Sequence, residues 1–166
     1  MGEEALLDQA GKGMKLRLWN ESGEEETSGV EAGPAGQAAI AAAVKATDWA
    51  APEISGVTLE SAVGWADGSG SLDASVGLSL MVEQYGVQHV GVSAPARTEE
   101  IVSFLEAYLA GDLRKVFEQL YERAPTDEEL AAFEDPSPQG GNGTWVMVAL
   151  AFIVLLVLLG AVRLLG

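Results

Sequence analysis

Gly56–Val82 reads GVTLESAVGWADGSGSLDASVGLSLMV, and the reading of this stretch decides the fold. Val57, Leu59, Val63 and Trp65 all fall on one face at a period of two. Leu72, Val76, Leu78, Leu80 and Val82 do the same further on. A period near two belongs to a strand with one face buried. Asp67–Ser71, DGSGS, lies between them and is made of turn-forming residues, so the stretch is expected to form one hairpin. Gly77 and Gly91 weaken the pattern, because glycine in a strand gives up packing or marks a bulge.

Outward from the hairpin, GVQHVGVS over Gly86–Ser93 is expected as a third strand entered by a turn at Tyr85-Gly86. Upstream, MKLRLWN over Met14–Asn20 sets Met14, Leu16 and Leu18 against Lys15, Arg17 and Trp19, again the period of a half-buried strand. Between strands, an alanine-rich stretch is expected to be helical from about Pro34, since proline suits the first helical position. After Pro95 the period becomes helical. Thr98 is expected to cap a helix with Ile101, Phe104, Leu105 and Tyr108 on its apolar face, ending at Gly111. A second helix begins on Asp112 and buries Leu113, Val116, Phe117 and Leu120. A third opens with a capping box, Thr126 with Glu129. The fold class is therefore α+β: a small antiparallel sheet followed by a helical hairpin or trio.

Two stretches read as linkers. Residues 21–37 hold ESGEEETSGVEAGPAGQ, whose glutamates and glycines leave little to bury, so an acidic, glycine-rich loop is expected. Residues 134–143, EDPSPQGGNG, read as a flexible tether. The implied organisation is an N-terminal helix and strand over 1–20, the acidic loop over 21–37, a soluble α+β domain over 38–133, the tether over 134–143 and an apolar segment over 144–166.

That last segment carries no charge from Thr144 to Val162. About 19 residues of helix span roughly 28 Å, close to the ~30 Å hydrocarbon core of a bilayer. Trp145 suits one interface, Arg163 can reach the other, and Phe152, Leu155 and Leu159 face lipid. Ala149, Ala151, Gly160 and Ala161 are the small residues through which such a helix could pack on another. The N-terminus is acidic and has no secretory h-region. The expectation is a single-pass C-terminal tail anchor, with the N-terminal domain on the cytoplasmic side, or facing the capsid in a virus with an internal membrane. Arg163 on the C-terminal side is a weak vote for the opposite orientation.

The 166-residue chain has 25 Asp and Glu against 9 Lys and Arg, a formal net charge of -16. That excludes a nucleic-acid partner, which needs a basic patch. Two readings of the acidity stand: an acidic soluble surface, and adaptation to high salt, where strong self-repulsion is tolerated. There is no cysteine and one histidine, so thiolate chemistry and a histidine-paired metal site are excluded. His89 reads as a half-exposed strand residue. Asp67–Asp73 spaces its oxygens like a calcium loop but has Leu78 where the twelfth-position acid belongs. No nucleophile elbow, zincin or phosphate-loop pattern appears, so neither an enzyme nor a cofactor is expected. Two functions remain. One is a structural or accessory subunit of a membrane protein complex or a membrane-containing virion, with the lipid bilayer and other subunits as partners. The other is a membrane-tethered acidic adaptor that recruits a soluble basic partner.

Overall fold

The computed structural model describes residues 13–73 and 77–134. The chain divides into two units at Pro136, and the described residues all belong to the first. They form an α+β fold with a six-stranded antiparallel sheet and four helices. The strands are β1 (Met14–Asn20), β2 (Gly23–Val30), β3 (Ser55–Glu60), β4 (Gly64–Ser71), β5 (Gly77–Gln84) and β6 (Val87–Val90). The helices are α1 (Pro34–Ala46), α2 (Thr98–Leu109), α3 (Leu113–Tyr121) and α4 (Asp127–Glu134). The strand order is β2-β1-β3-β4-β5-β6. Strands β3 to β6 run as a meander, while α1 carries the chain from edge strand β2 over β1 to β3.

Alternation along the strands sorts the two faces of the sheet. Leu16, Val57, Leu59, Ala66, Leu80 and Val82 point to one face and are buried. Helix residues Ile40, Val44, Ile101, Phe104, Leu105, Val116 and Leu120 complete the same core. The opposite face carries Lys15, Arg17 and Trp19 from β1, Thr58 and Glu60 from β3, Trp65, Asp67 and Ser69 from β4, and Met81 and Glu83 from β5.

The sequence reading needs correction at Gly56–Val82. The segment makes three strands, not two, and Asp67–Ser71 is the second half of β4, near the centre of the sheet. The chain reverses earlier, at Ser61–Val63, where Ser61 Oγ donates to the Gly64 carbonyl at 3.0 Å. Close packing explains why glycine serves in a buried strand. The side chain of Ile101 lies directly on Gly68, and a Cβ there would stand 2.3 Å from Ile101 Cγ2. Trp65 consequently faces away from Val57 and Leu59, since Leu59 pairs with Ala66 and Glu60 with Trp65. Leu72 follows the end of β4 and is exposed, and Val76 lies outside the described residues.

A second correction concerns residues 21–37. Gly23–Val30 is strand β2, and Pro34 already opens α1. The hairpin to β1 is set by Asn20, whose Oδ1 accepts from the backbone N–H of Ser22 at 2.8 Å and Gly23 at 3.0 Å. Glu24 and Glu26 then stand on the same face as the cations of β1. Arg17 bonds Glu26 at 3.1 Å and Glu60 at 2.6 Å and lies 3.6 Å from Glu24, while Lys15 lies 3.9 Å from Glu26. A glutamate run thus becomes a strand because the neighbouring strand supplies the opposite charge.

The remaining elements follow the sequence closely. Tyr85 and Gly86 both take positive φ, 50° and 81°, as a two-residue turn into β6 requires. Asp112 caps α3 by accepting from the Lys115 N–H at 3.1 Å. The Thr126–Glu129 capping box closes in both directions, at 2.9 and 3.2 Å. Thr98 is the first residue of α2 and not its cap, a position held by Arg97 without a side-chain hydrogen bond. Leu113 is only partly buried.

Candidate functional site

The residues expected to anchor the chain in a membrane (Trp145, Phe152, Leu155, Leu159 and Arg163), and those expected to pack helices (Ala149, Ala151, Gly160 and Ala161), lie outside the described residues. So does the stretch 135–143 of the tether, and so do residues 1–12, where an N-terminal helix was expected. No helix among the described residues is long and apolar enough to cross a membrane. No group of three or more Asp, Glu or His among them is placed to hold a metal ion.

The described domain concentrates chemistry along the β1–β2 side of the sheet. Among the described residues β2 pairs with β1 alone, so one side of its backbone has no described strand beside it. Its residues from Gly23 to Gly29 are all exposed. Arg17 and Lys15 offset Glu24, Glu26 and Glu60, and Glu25 points to the other face, opposite Leu18. Where the β1–β2 turn meets the end of α1, an open groove of about 450 Å³ is lined by Trp19, Asn20, Glu24, Glu25, Thr47 and Asp48. Three carboxylates and the carbonyl end of a helix meet there, an arrangement that attracts cations.

On the outer face, beside this groove, the Trp19 indole lies against Gly56, so that a Cβ on Gly56 would stand 2.5 Å from it. Its Nε1–H points at Thr58 Oγ1 (2.9 Å) and Asp67 Oδ1 (3.2 Å), and Thr58 Oγ1 donates to the same Oδ1 at 2.6 Å. Asp67 is only 4% exposed. Read from the sequence, Asp67 belonged to a turn. The structure places it mid-sheet, held by residues from β1 and β3.

A separate aromatic cluster closes the far end. His89 stands on β6 facing the helices, and its Nδ1 lies 2.8 Å from the Tyr121 hydroxyl. Its ring packs edge-on against Phe133 of α4 at 4.8 Å, and Phe117 touches both Tyr121 and Phe133. Burial lowers the His89 pKa from its ordinary 6.5 and raises that of Tyr121. Arg123 lies over Phe117 and makes a two-pronged bond to Glu129. Those bonds, with the Thr126 N–H, hold the Glu129 carboxyl at a pKa of about 2. The expectation that His89 is a half-exposed strand residue agrees with its intermediate exposure on β6.

Sequence reasoning missed the acidic edge and Asp67 for one reason. Both lie in stretches whose composition is that of loops, and only strand pairing brings them to the sheet. The signal present was the alternation of Lys15 and Arg17 in β1, which required opposite charges at a spacing of two on any strand beside it.

Comparison with known proteins gives no match: no protein-family model, no curated protein and no solved structure matches this chain.

Proposed function

We propose that this chain is an accessory or structural subunit of a membrane-associated assembly, held to the bilayer by Thr144–Val162, with its α+β domain on the cytoplasmic side or, in a virion, facing the capsid. The uncharged run is the single observation that carries the reading. Its length fits a hydrocarbon core, and Trp145 and Arg163 stand where interfacial residues belong. The Gly- and Pro-rich 134–143 before it gives the domain reach.

The test is extraction. The protein is expected to stay with membranes through alkaline carbonate and to leave them in mild detergent. In detergent at high salt it should migrate on a native gel in fixed ratio with other proteins, identified by mass spectrometry. Release by carbonate would remove the membrane reading. Migration alone would remove the subunit reading.

A second reading is favoured by the acidic edge: the domain recruits a soluble basic partner. Supporting it are the exposed strand β2 and the groove lined by Glu24, Glu25 and Asp48. An exposed edge offers main-chain hydrogen bonds to an added strand, and the acids select its charge. Recruitment of this kind weakens as salt rises, whereas a packed subunit interface survives it.

A further inference from the structure

Asp67 leaves one bond unmade. Its Oδ1 takes both donors, Thr58 and Trp19, while Oδ2 is buried and has no hydrogen-bond partner among the described residues. Among the described residues no ion pair involves it. Arg17, a cation of β1 on this face, is already shared among Glu24, Glu26 and Glu60. A buried carboxylate oxygen without a donor is costly, and structures retain such a group where something else supplies the donor.

The surroundings specify that donor. Asp67 pairs across the sheet with Met81 on one side and Thr58 on the other. Trp19 lies on the β1 side, and Trp65 stands two residues along β4 on the same face. Trp65 in turn pairs with Glu60 and Glu83, one acid on each side. An unpaired carboxylate oxygen, two indoles and flanking acids form a receptor for a flat cation. One carboxylate is too few ligands for a metal ion. A guanidinium satisfies a carboxylate oxygen through N–H groups and stacks on indole, and a lysine ammonium does this less well.

We propose that the outer face of the sheet binds an arginine of a basic partner segment, with the guanidinium donating to Asp67 Oδ2. Met81, the cross-strand neighbour of Asp67 on this face, would swing aside on binding, as an unbranched thioether can. This deepens the recruitment reading and rests on it. It moves the specific contact from the β2 edge to the outer face.

The experiment uses the full chain in detergent, labelled with ¹⁵N at tryptophan, at about 0.15 M salt. The probe is an arginine–glycine hexapeptide, compared with its lysine–glycine counterpart. The indole N–H signals of Trp19 and Trp65 are expected to shift saturably with the arginine peptide, and more weakly with the lysine one. Asp67→Asn keeps the Oδ1 acceptor for Thr58 and Trp19 but changes the group at Oδ2. It should weaken binding about tenfold or more. Should that variant not fold, Met81→Lys decides. A lysine opposite Asp67 would fill the site from within, raising the unfolding midpoint and blocking the peptide.

Equal affinity of Asp67→Asn and the parent, or undiminished binding by Met81→Lys, overturns the inference. If Glu24→Gln with Glu25→Gln abolishes binding while Asp67→Asn does not, the recruitment reading survives and the Asp67 site fails. No shift with either peptide removes both.

Discussion

At the scale of single residues, the outer and inner faces of β4 impose different demands. On the inner face Gly68 leaves no room for a side chain. Gly68→Val should cost roughly 1–3 kcal/mol, because Ile101 is fully buried and cannot retreat. The midpoint of urea unfolding measures it, and an unchanged midpoint would show that α2 can slide away. Phe104, also fully buried, gives the contrasting case, and Phe104→Ala should cost about 3–5 kcal/mol through lost burial and a cavity. This scale also shows what could be read from residues alone. Leu16, Leu59, Leu80, Val82, Ile101 and Leu105 declared their burial by period. Gly68 could not, since a small residue in a strand signals a turn until the helix lying on it is known.

At the scale of elements, α4 joins the domain through a short list of contacts, and each can be tested. Thr126→Ala removes one half of the capping box and should cost about 1 kcal/mol. Loss of helical signal without loss of the sheet, followed by hydrogen exchange over Asp127–Glu134, would locate the effect. Acid acts on the same helix twice. The folded-state pKa of His89 lies below 6.5, so the protein binds fewer protons folded than unfolded. The stability this supplies is present above pH 6.5 and is lost as the pH falls through the folded value. The charged groups around this contact are Arg123 and Glu129, which bond each other. Glu129 follows the same sign at lower pH, its contribution fading between 4.5 and about 2. Unfolding midpoints at pH 7 and pH 5 should therefore differ more for the parent than for His89→Phe. Equal differences would place the titration elsewhere.

Elements also divide sharply in how openly the sequence announced them. The helices were plain, because capping residues and a period of 3.6 are local signals, and α1, α3 and α4 begin where expected. The strands β2 and β4 were hidden. Their residues are those of loops, and what makes them strands is non-local: the cations of β1 for β2, and the packing of Ile101 for β4.

At the scale of the whole molecule, charge and edges set the behaviour. With a net charge of -16 the chain repels itself, and screening should relieve this. The thermal midpoint is expected to rise between about 0.05 and 1 M sodium chloride, where the Debye length shrinks to roughly 3 Å. A midpoint that falls would show that the Arg17 and Arg123 ion pairs outweigh the general repulsion. The two edges of the sheet differ in kind. β2 is exposed and acidic, so two copies would meet there glutamate to glutamate. β6 is short and uncharged, with Val87 and Val90 exposed. The sheet is therefore guarded against stacking on itself by charge at one end and by brevity at the other.

Phe133 is the one buried side chain of α4, and this has a mechanical consequence. A pull transmitted along the chain beyond Glu134 enters the domain through α4. That helix is eight residues long, and it is joined to no strand by backbone bonds. Under load it should peel away first, breaking the Phe133 contact with His89 and then the Arg123–Glu129 bond, while the sheet stays whole. Freed from Glu122 onward, the chain would span at most about 40 Å at roughly 3.3 Å per residue. The last helix thus acts as a shock absorber, yielding slack before the fold itself bears the strain.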